Sequence, residues 1–291
     1  MKSAIIFLFL TAAIWGLSYS MQAEAMNTMK PLSFVFLRYL IGTAALLPII
    51  IYSGKKIDKS IIAGGIICGI SLAGGEILQQ FGLLYTSAGK AGFLTALYVI
   101  MIPVIGVFIN KKSNWKIWCA SLLSVAGAYL LCYDTSIHSG VNYGDILMLI
   151  CALFFAIQFI AIAKFAPQAD ALHLAAIQFF TVAVISGIAT LAAGEKISLS
   201  GISATAIPLF YCGIIAIGLA CTIQIAAQKY LHPAVTSIIL STASVFAVLW
   251  GYLVMGETYS LMNIAGCGII FAAVILVQMP NRNDSGKIET E

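Results

Sequence analysis

Glu76 has more chemistry to offer than any other residue in this sequence. It interrupts an apolar run from Ser60 to Tyr85, and Gln79 and Gln80 follow three and four residues later. On a helix all three fall on one face. A charge in so apolar a run costs at least ~2.5–3.5 kcal/mol if it sits near a bilayer centre. Such a carboxyl must face a protein interior, where it pairs with a cation, takes up a proton or holds a substrate amine; otherwise it serves to join helices. The amides suit a polar solute, although side chains of this kind also link helices to one another. Gln224 and Gln228 share a face of a later run, and Gln158 lies in another. Trp15, Ser18, Tyr19 and Tyr98 could wall a cavity and hold a ring or cation, or simply pack. Arg38 could meet a substrate carboxylate, snorkel to the surface, or pair with Glu24 or another carboxyl.

Other chemistries lack their residues. There is no GxxxxGK[ST] for ATP hydrolysis and no HExxH or other metal spacing, so neither cofactor nor metal is expected. His138, His173 and His232 fall at loops or run ends, away from any buried serine, which argues against an intramembrane protease. The seven cysteines lie inside apolar runs without CxxC spacing and read as small buried hydrophobes rather than disulfides or ligands.

The elements that must position these residues follow from composition. Of 291 residues, 61% are hydrophobic and 9% charged. Soluble domains have about 25% charged residues, so this chain cannot clothe itself for water. A soluble enzyme, a nucleic-acid binder and a disordered chain are excluded. A helix needs about 20 apolar residues to cross a bilayer, and ten such runs are present: Ser3–Met21, Leu32–Tyr52, Ser60–Tyr85, Ala91–Ile109, Lys116–Cys132, Gly144–Lys164, Leu172–Ala193, Ile207–Tyr230, Ala234–Met255 and Leu261–Met279. They are apolar all round rather than alternating, which excludes a β-barrel. The expected fold is an all-α polytopic membrane protein of ten spans. Short loops leave no room for a soluble domain, and only a tail over 281–291 is plainly aqueous. Pro103 is expected to kink the fourth span. The run Gly65-x-x-x-Gly69 is expected to let helices approach closely.

Basic residues orient the bundle. With the N-terminus inside, eleven of the fifteen Lys and Arg fall on inner segments, three (Lys30, Lys90 and Lys196) on outer loops, and Arg38 within a span. That split supports ten spans with both termini cytoplasmic.

A weak internal repeat is present. A shift of 145 residues places Gln79 on Gln224 and Tyr85 on Tyr230. The halves, 1–137 and 138–280, would each hold five spans. Five is odd, so the second half would sit inverted relative to the first, as in many transporters that alternate access about a midplane site.

Within Gln79 to Pro103, the string Tyr85-Thr86-Ser87-Ala88-Gly89-Lys90-Ala91 closely resembles EamA-type proteins of the drug/metabolite transporter superfamily. Trp15-Gly16, Arg38-Tyr39-Leu40, Gly144-Asp145 and Gly256-Glu257 are also similar to that family's pattern. The likeness covers nearly the whole chain as two EamA repeats. It departs where a Glu-Pro pair common in the ninth helix is here Ala243-Ser244, and where Asn110-Lys111 is the first-half counterpart of Gly256-Glu257. The resemblance implies ten helices in two inverted repeats, a central cavity, and export or uptake of small metabolites such as amino acids, coupled to protons or run by exchange.

The resulting expectation is a secondary transporter, not an enzyme, for a small polar, amino-acid-like metabolite, working by alternating access in a cytoplasmic membrane. Its partners are that solute, lipid and protons, not nucleic acid. The expected substrate site is Trp15, Ser18, Tyr19, Glu76, Gln79, Gln80, Tyr98, Gln158 and Gln224, with Glu76 coupling to protons. Efflux of aromatic or cationic drugs is the alternative, since a buried acid among aromatics suits a cation.

Overall fold

A computed structural model of the chain describes residues 2–54, 58–86, 88–109, 114–136, 142–255 and 258–279. Among the residues singled out above, Lys55, Lys56, Asn110, Lys111, Lys112, His138, Gly256, Glu257 and the tail lie outside them.

The described residues form helices and no strand. They are α1 (Lys2–Ala25), α2 (Pro31–Ser53), α3 (Lys59–Gly82), α4 (Ala88–Ala96), α5 (Tyr98–Phe108), α6 (Trp115–Ser136), α7 (Tyr143–Phe165), α8 (Ala171–Ala192), α9 (Leu199–Ala204), α10 (Ala206–Phe210), a π-helical segment (Tyr211–Cys221), α11 (Thr222–Ala227), α12 (Pro233–Leu240), α13 (Ala243–Met255) and α14 (Leu261–Gln278). Among them nine spans are long and apolar enough to cross a membrane, and a shorter apolar stretch, Trp115–Leu131, makes a tenth. With no water in the hydrocarbon, the helix satisfies the backbone within each span.

The spans begin and end where local chemistry dictates. Pro31 opens α2 at the one place where its missing N–H costs nothing. Gly54, at φ 60°, closes α2 in the left-handed conformation that glycine tolerates. Asn142 and Asp145 cap α7 reciprocally, and Ser260 and Asn263 do the same for α14. Glu195, after α8, accepts from the backbone N–H and hydroxyl of Ser33 at 2.8 and 2.7 Å. A carboxylate thereby satisfies the first turn of α2 and faces the positive end of its dipole.

Three spans depart from the continuous helices expected. The fourth is interrupted at Leu97 and the ninth at Ser241-Thr242. Leu97 and Thr242 are 145 residues apart, the same offset that pairs Gln79 with Gln224. At the second break, Ser241 and Thr242 each donate a hydroxyl to a preceding carbonyl at 2.6 Å, a local bond that competes with the helix ladder. The eighth span passes through the π-helical segment, a geometry that often marks functional sites. The fourth span breaks six residues before Pro103, not at it. Pro103 cannot donate to the Val99 carbonyl, and the buried Ser121 hydroxyl of α6 donates there instead, at 3.3 Å. Ser121→Ala should orphan that carbonyl and cost about 1–3 kcal/mol, measurable by chemical unfolding; an unchanged midpoint would show that the carbonyl finds another donor.

Helix pairing obeys one symmetry. Exchanging each span with the one five places on maps contacts onto contacts. α3 packs on α7 as the eighth span packs on α1, and α7 packs on α4 and α5 as α1 packs on α12 and α13. α2 packs on α8, and α6 on α14, each on its own counterpart. Small residues permit the closest approaches. A Cβ on Gly65 or Gly69 would lie 2.6 or 2.5 Å from atoms of α8, in line with the close packing expected of that motif.

Of the six cysteines with described side chains, all are free; Cys68, Cys151, Cys212 and Cys221 are buried, Cys267 is half-buried and Cys119 is exposed. Cys119 therefore departs from the expectation of a buried hydrophobe.

Candidate functional site

The bundle holds a partly open cavity of about 100 Å³. One water needs about 10–15 Å³ on this scale, so there is room for a small water cluster or one small solute. Its wall comes from α1, α2, α3, α4, α5, α7, the π-helical segment and the α11–α13 region, while α6, α8 and α14 contribute nothing to it.

Eight of the nine residues chosen from the sequence border this space: Trp15, Ser18, Tyr19, Glu76, Gln79, Tyr98, Gln158 and Gln224. Gln80 does not. It is fully buried off the cavity and donates to Gln22 Oε1 at 3.3 Å. Consecutive residues point about 100° apart on a helix, so Gln79 and Gln80 cannot both face one small space.

Glu76 is not a bare acid. Arg38 of α2 donates from Nη2 to its Oε2, and the Tyr39 hydroxyl donates to its Oε1 at 2.9 Å. The helices run antiparallel, which brings the first half of α2 beside the last half of α3. Arg38 is 3% exposed, so it neither snorkels nor meets Glu24. Its guanidinium lies over the rings of Phe34 and Tyr39, 5.3 and 5.5 Å from their centroids, a favourable cation–π arrangement. Two donors on the walls, Arg38 Nε and Gln224 Nε2, have no partner among the described residues.

Aromatic groups shape the rest. Tyr98 stacks on Phe159 at 5.2 Å. Trp15 donates its indole N–H to the Ala216 carbonyl at 3.2 Å, which fixes α1 to the π-helical segment. Sequence reasoning missed Gln22, Tyr39, Phe155, Phe159, Ser241 and Ser244. Tyr39 could have been found as the neighbour of Arg38 in the Arg-Tyr-Leu string. Phe155 and Phe159 look like ordinary packing residues until the tertiary structure brings them inward.

Lys90, expected on an outer loop, is buried in α4 and pairs with Asp145 of α7 at 2.6 Å. Asp145 also accepts from the Thr86 hydroxyl at 3.0 Å and from Asn142 N–H at 2.9 Å. The pair ties the broken fourth span, beside the cavity, to the second half of the chain. Lys90→Asp should cost at least about 3–5 kcal/mol, because it breaks a buried pair and sets a second carboxylate beside Asp145. The double exchange Lys90→Asp with Asp145→Lys should restore part of that loss in thermal unfolding. No restoration would mean that the cap on α7, not the pair, matters.

Nine described spans long and apolar enough to cross a membrane, with a shorter apolar tenth, define a multi-span membrane protein whose interior holds a partly open cavity with polar groups set among aromatic and aliphatic ones. The comparisons agree. The EamA-like transporter family matches twice, over residues 2–133 and 142–279, and the chain belongs to that family. A transporter of Archaeoglobus fulgidus is 31% identical over 94% of this chain and 84% of its own length. The Escherichia coli inner membrane transporter YedA is 25% identical over 94% of this chain and 89% of its own. A chloroplastic WAT1-related protein of Arabidopsis thaliana is 24% identical over 93% and 68%. A solved crystal structure shares the fold over the full length of both chains, with a TM-score of 0.81 at 16% identity.

Proposed function

We propose that this transporter moves a small polar, amino-acid-like metabolite across the cytoplasmic membrane by alternating access, coupled to protons or run by exchange. One observation carries the reading: a buried Arg38 paired with a mostly enclosed Glu76, held by Tyr39, stands in the wall of a cavity sized for one small solute. The cell-membrane setting is consistent with YedA, which is named an inner membrane transporter. The symmetric helix pairing supports two five-span halves, 1–137 and 138–280, inverted about the cavity, whose rocking would alternate access; the placement of basic residues would put both termini in the cytoplasm. Amides of Gln79, Gln158 and Gln224 would hydrogen-bond the solute, and Trp15, Ser18, Tyr19 and Tyr98 would line its path. Glu76 would be the proton-coupling group. Efflux of a cationic drug is less well supported, because the acid that would hold the cation already holds Arg38.

Purified protein in liposomes tests this. With an imposed pH gradient, it should accumulate at least one labelled amino acid above the level of empty liposomes, and Glu76→Gln should lose the response to the gradient. Equal pH-driven uptake in the variant would remove Glu76 as the coupling site. Uptake of organic cations but of no amino acid would replace the substrate class.

A further inference from the structure

The Arg38–Glu76 pair raises a question of competition. Arg38 is a permanent cation with a planar fork of five donors. Glu76 takes one of its terminal nitrogens, while Nε has no partner among the described residues. The guanidinium is the cationic group of the cavity wall, whereas both Glu76 oxygens are engaged, by Arg38 and by Tyr39. An entering cation would therefore meet a carboxylate already neutralised and a guanidinium that repels it. An entering carboxylate would meet a fork that binds carboxylates in two parallel hydrogen bonds.

We propose that the transported solute carries a carboxylate, that this carboxylate displaces Glu76 from Arg38, and that the released Glu76 takes up one proton. This deepens the transport reading above and rests on it. The solute enters ionised, and Arg38 exchanges one carboxylate for another. An O–H bond forms at Glu76 Oε2, the atom that Arg38 has left, with a proton from the aqueous side. The site gains one negative charge from the solute carboxylate and loses one at Glu76. Solute and proton therefore bind together; the step is electroneutral for a monoanionic hydroxy acid and adds one net positive charge for a zwitterionic amino acid, whose ammonium brings its own. The physical reason is that a carboxylate buried without a counter-charge is strongly disfavoured, and protonation is the route open to it.

Among the described residues, the surroundings offer Glu76 no other cation. From α1 it is faced by Tyr19, from α2 by Arg38 and Tyr39, from α7 by Cys151, and from the π-helical segment by Cys212 and Cys221. The titratable group of α8, His173, bonds Asp170 at the start of its own helix. Lys90 of α4 is held by Asp145.

The test uses full-length protein in detergent, titrated with the common L-amino acids and short hydroxy acids. Each one that binds is compared with its primary amide and its decarboxylated counterpart, an amine for an amino acid and an alcohol for a hydroxy acid. Carboxylates should bind at least about tenfold more tightly than either, as expected for a charge-assisted bidentate contact. Calorimetry in two buffers of different ionisation heat should report about one proton taken up per carboxylate bound. Glu76→Gln should bind without uptake, and Arg38→Lys, which keeps the charge but loses the fork, should bind more weakly. Amines or amides that bind as tightly, carboxylate binding without proton uptake, or no carboxylate binding at all would each overturn the proposal. The wild-type buffer comparison stands even if a variant fails to fold. Transport of an amine or neutral solute in liposomes would sink this inference and change the substrate class while leaving the transport activity itself established.

Discussion

Glu76→Leu should destabilise this protein by about 3–5 kcal/mol, the cost of leaving a buried guanidinium without its carboxylate. Arg38 is almost wholly enclosed, and its side chain cannot shed its proton to escape. Arg38→Met should cost less, because the Glu76 carboxyl that remains can bind a proton and keep its hydrogen bond from Tyr39. Its deficit should shrink as pH falls, whereas that of Glu76→Leu should not. The double variant should recover much of the single loss, since replacing a buried pair with apolar side chains of similar volume is often neutral. Thermal unfolding in detergent at two pH values measures all three. Equal, additive and pH-independent losses would mean that the residues act as separate packing groups. The double variant should still fail in transport, which separates the pair's stabilising role from its proposed use.

The second large effect is expected where α6 meets α14. Gly127 and Gly266 face each other so closely that a Cβ on Gly266 would lie 2.6 Å from the Gly127 carbonyl oxygen and 2.9 Å from the Leu131 nitrogen. Both are backbone atoms and cannot swing aside, so the helices must separate. Gly266→Ala should cost about 1–3 kcal/mol, the usual range for overpacking, and Gly266→Leu more. Separation would also stretch the bond from Asn263 Nδ2 to the Leu131 carbonyl, 2.8 Å here. Adding Gly127→Ala to Gly266→Ala should cost less than the sum, because helices already parted accommodate the second methyl. A stability unchanged from wild type in Gly266→Ala would show that the pair is free to slide. Because α6 and α14 contribute nothing to the cavity wall, solute binding by the surviving folded fraction should be unaffected.

Much of the architecture was legible because the bilayer is a severe solvent. Apolar runs of about twenty residues must be helices there, and the scarcity of charge made Glu76 and Arg38 conspicuous. Helix periodicity then put Glu76 and Gln79 on one face, and both border the cavity. The same periodicity overreached for Gln80, four residues from Glu76, which turns to Gln22 beside the cavity rather than into the space itself. Sequence reasoning failed for Lys90 because a basic residue near a span end looks like a loop charge until its acidic partner, 55 residues on, is brought beside it. Pro103 was a correct sign of a lost hydrogen bond, but Ser121 of another helix repairs the loss, and the interruption falls at Leu97.

Composition and spacing by themselves determined the class of protein, the spans and which few polar residues were costly enough to need a purpose. These are local properties, set by the free energy of placing each segment in hydrocarbon. Only the tertiary structure decided that Glu76 meets Arg38 rather than a bare proton, that Tyr39 completes the group, and which side chains wall the cavity. Those outcomes depend on the rotation and depth of each helix against its neighbours, and close glycine contacts and buried hydrogen bonds between distant segments set these.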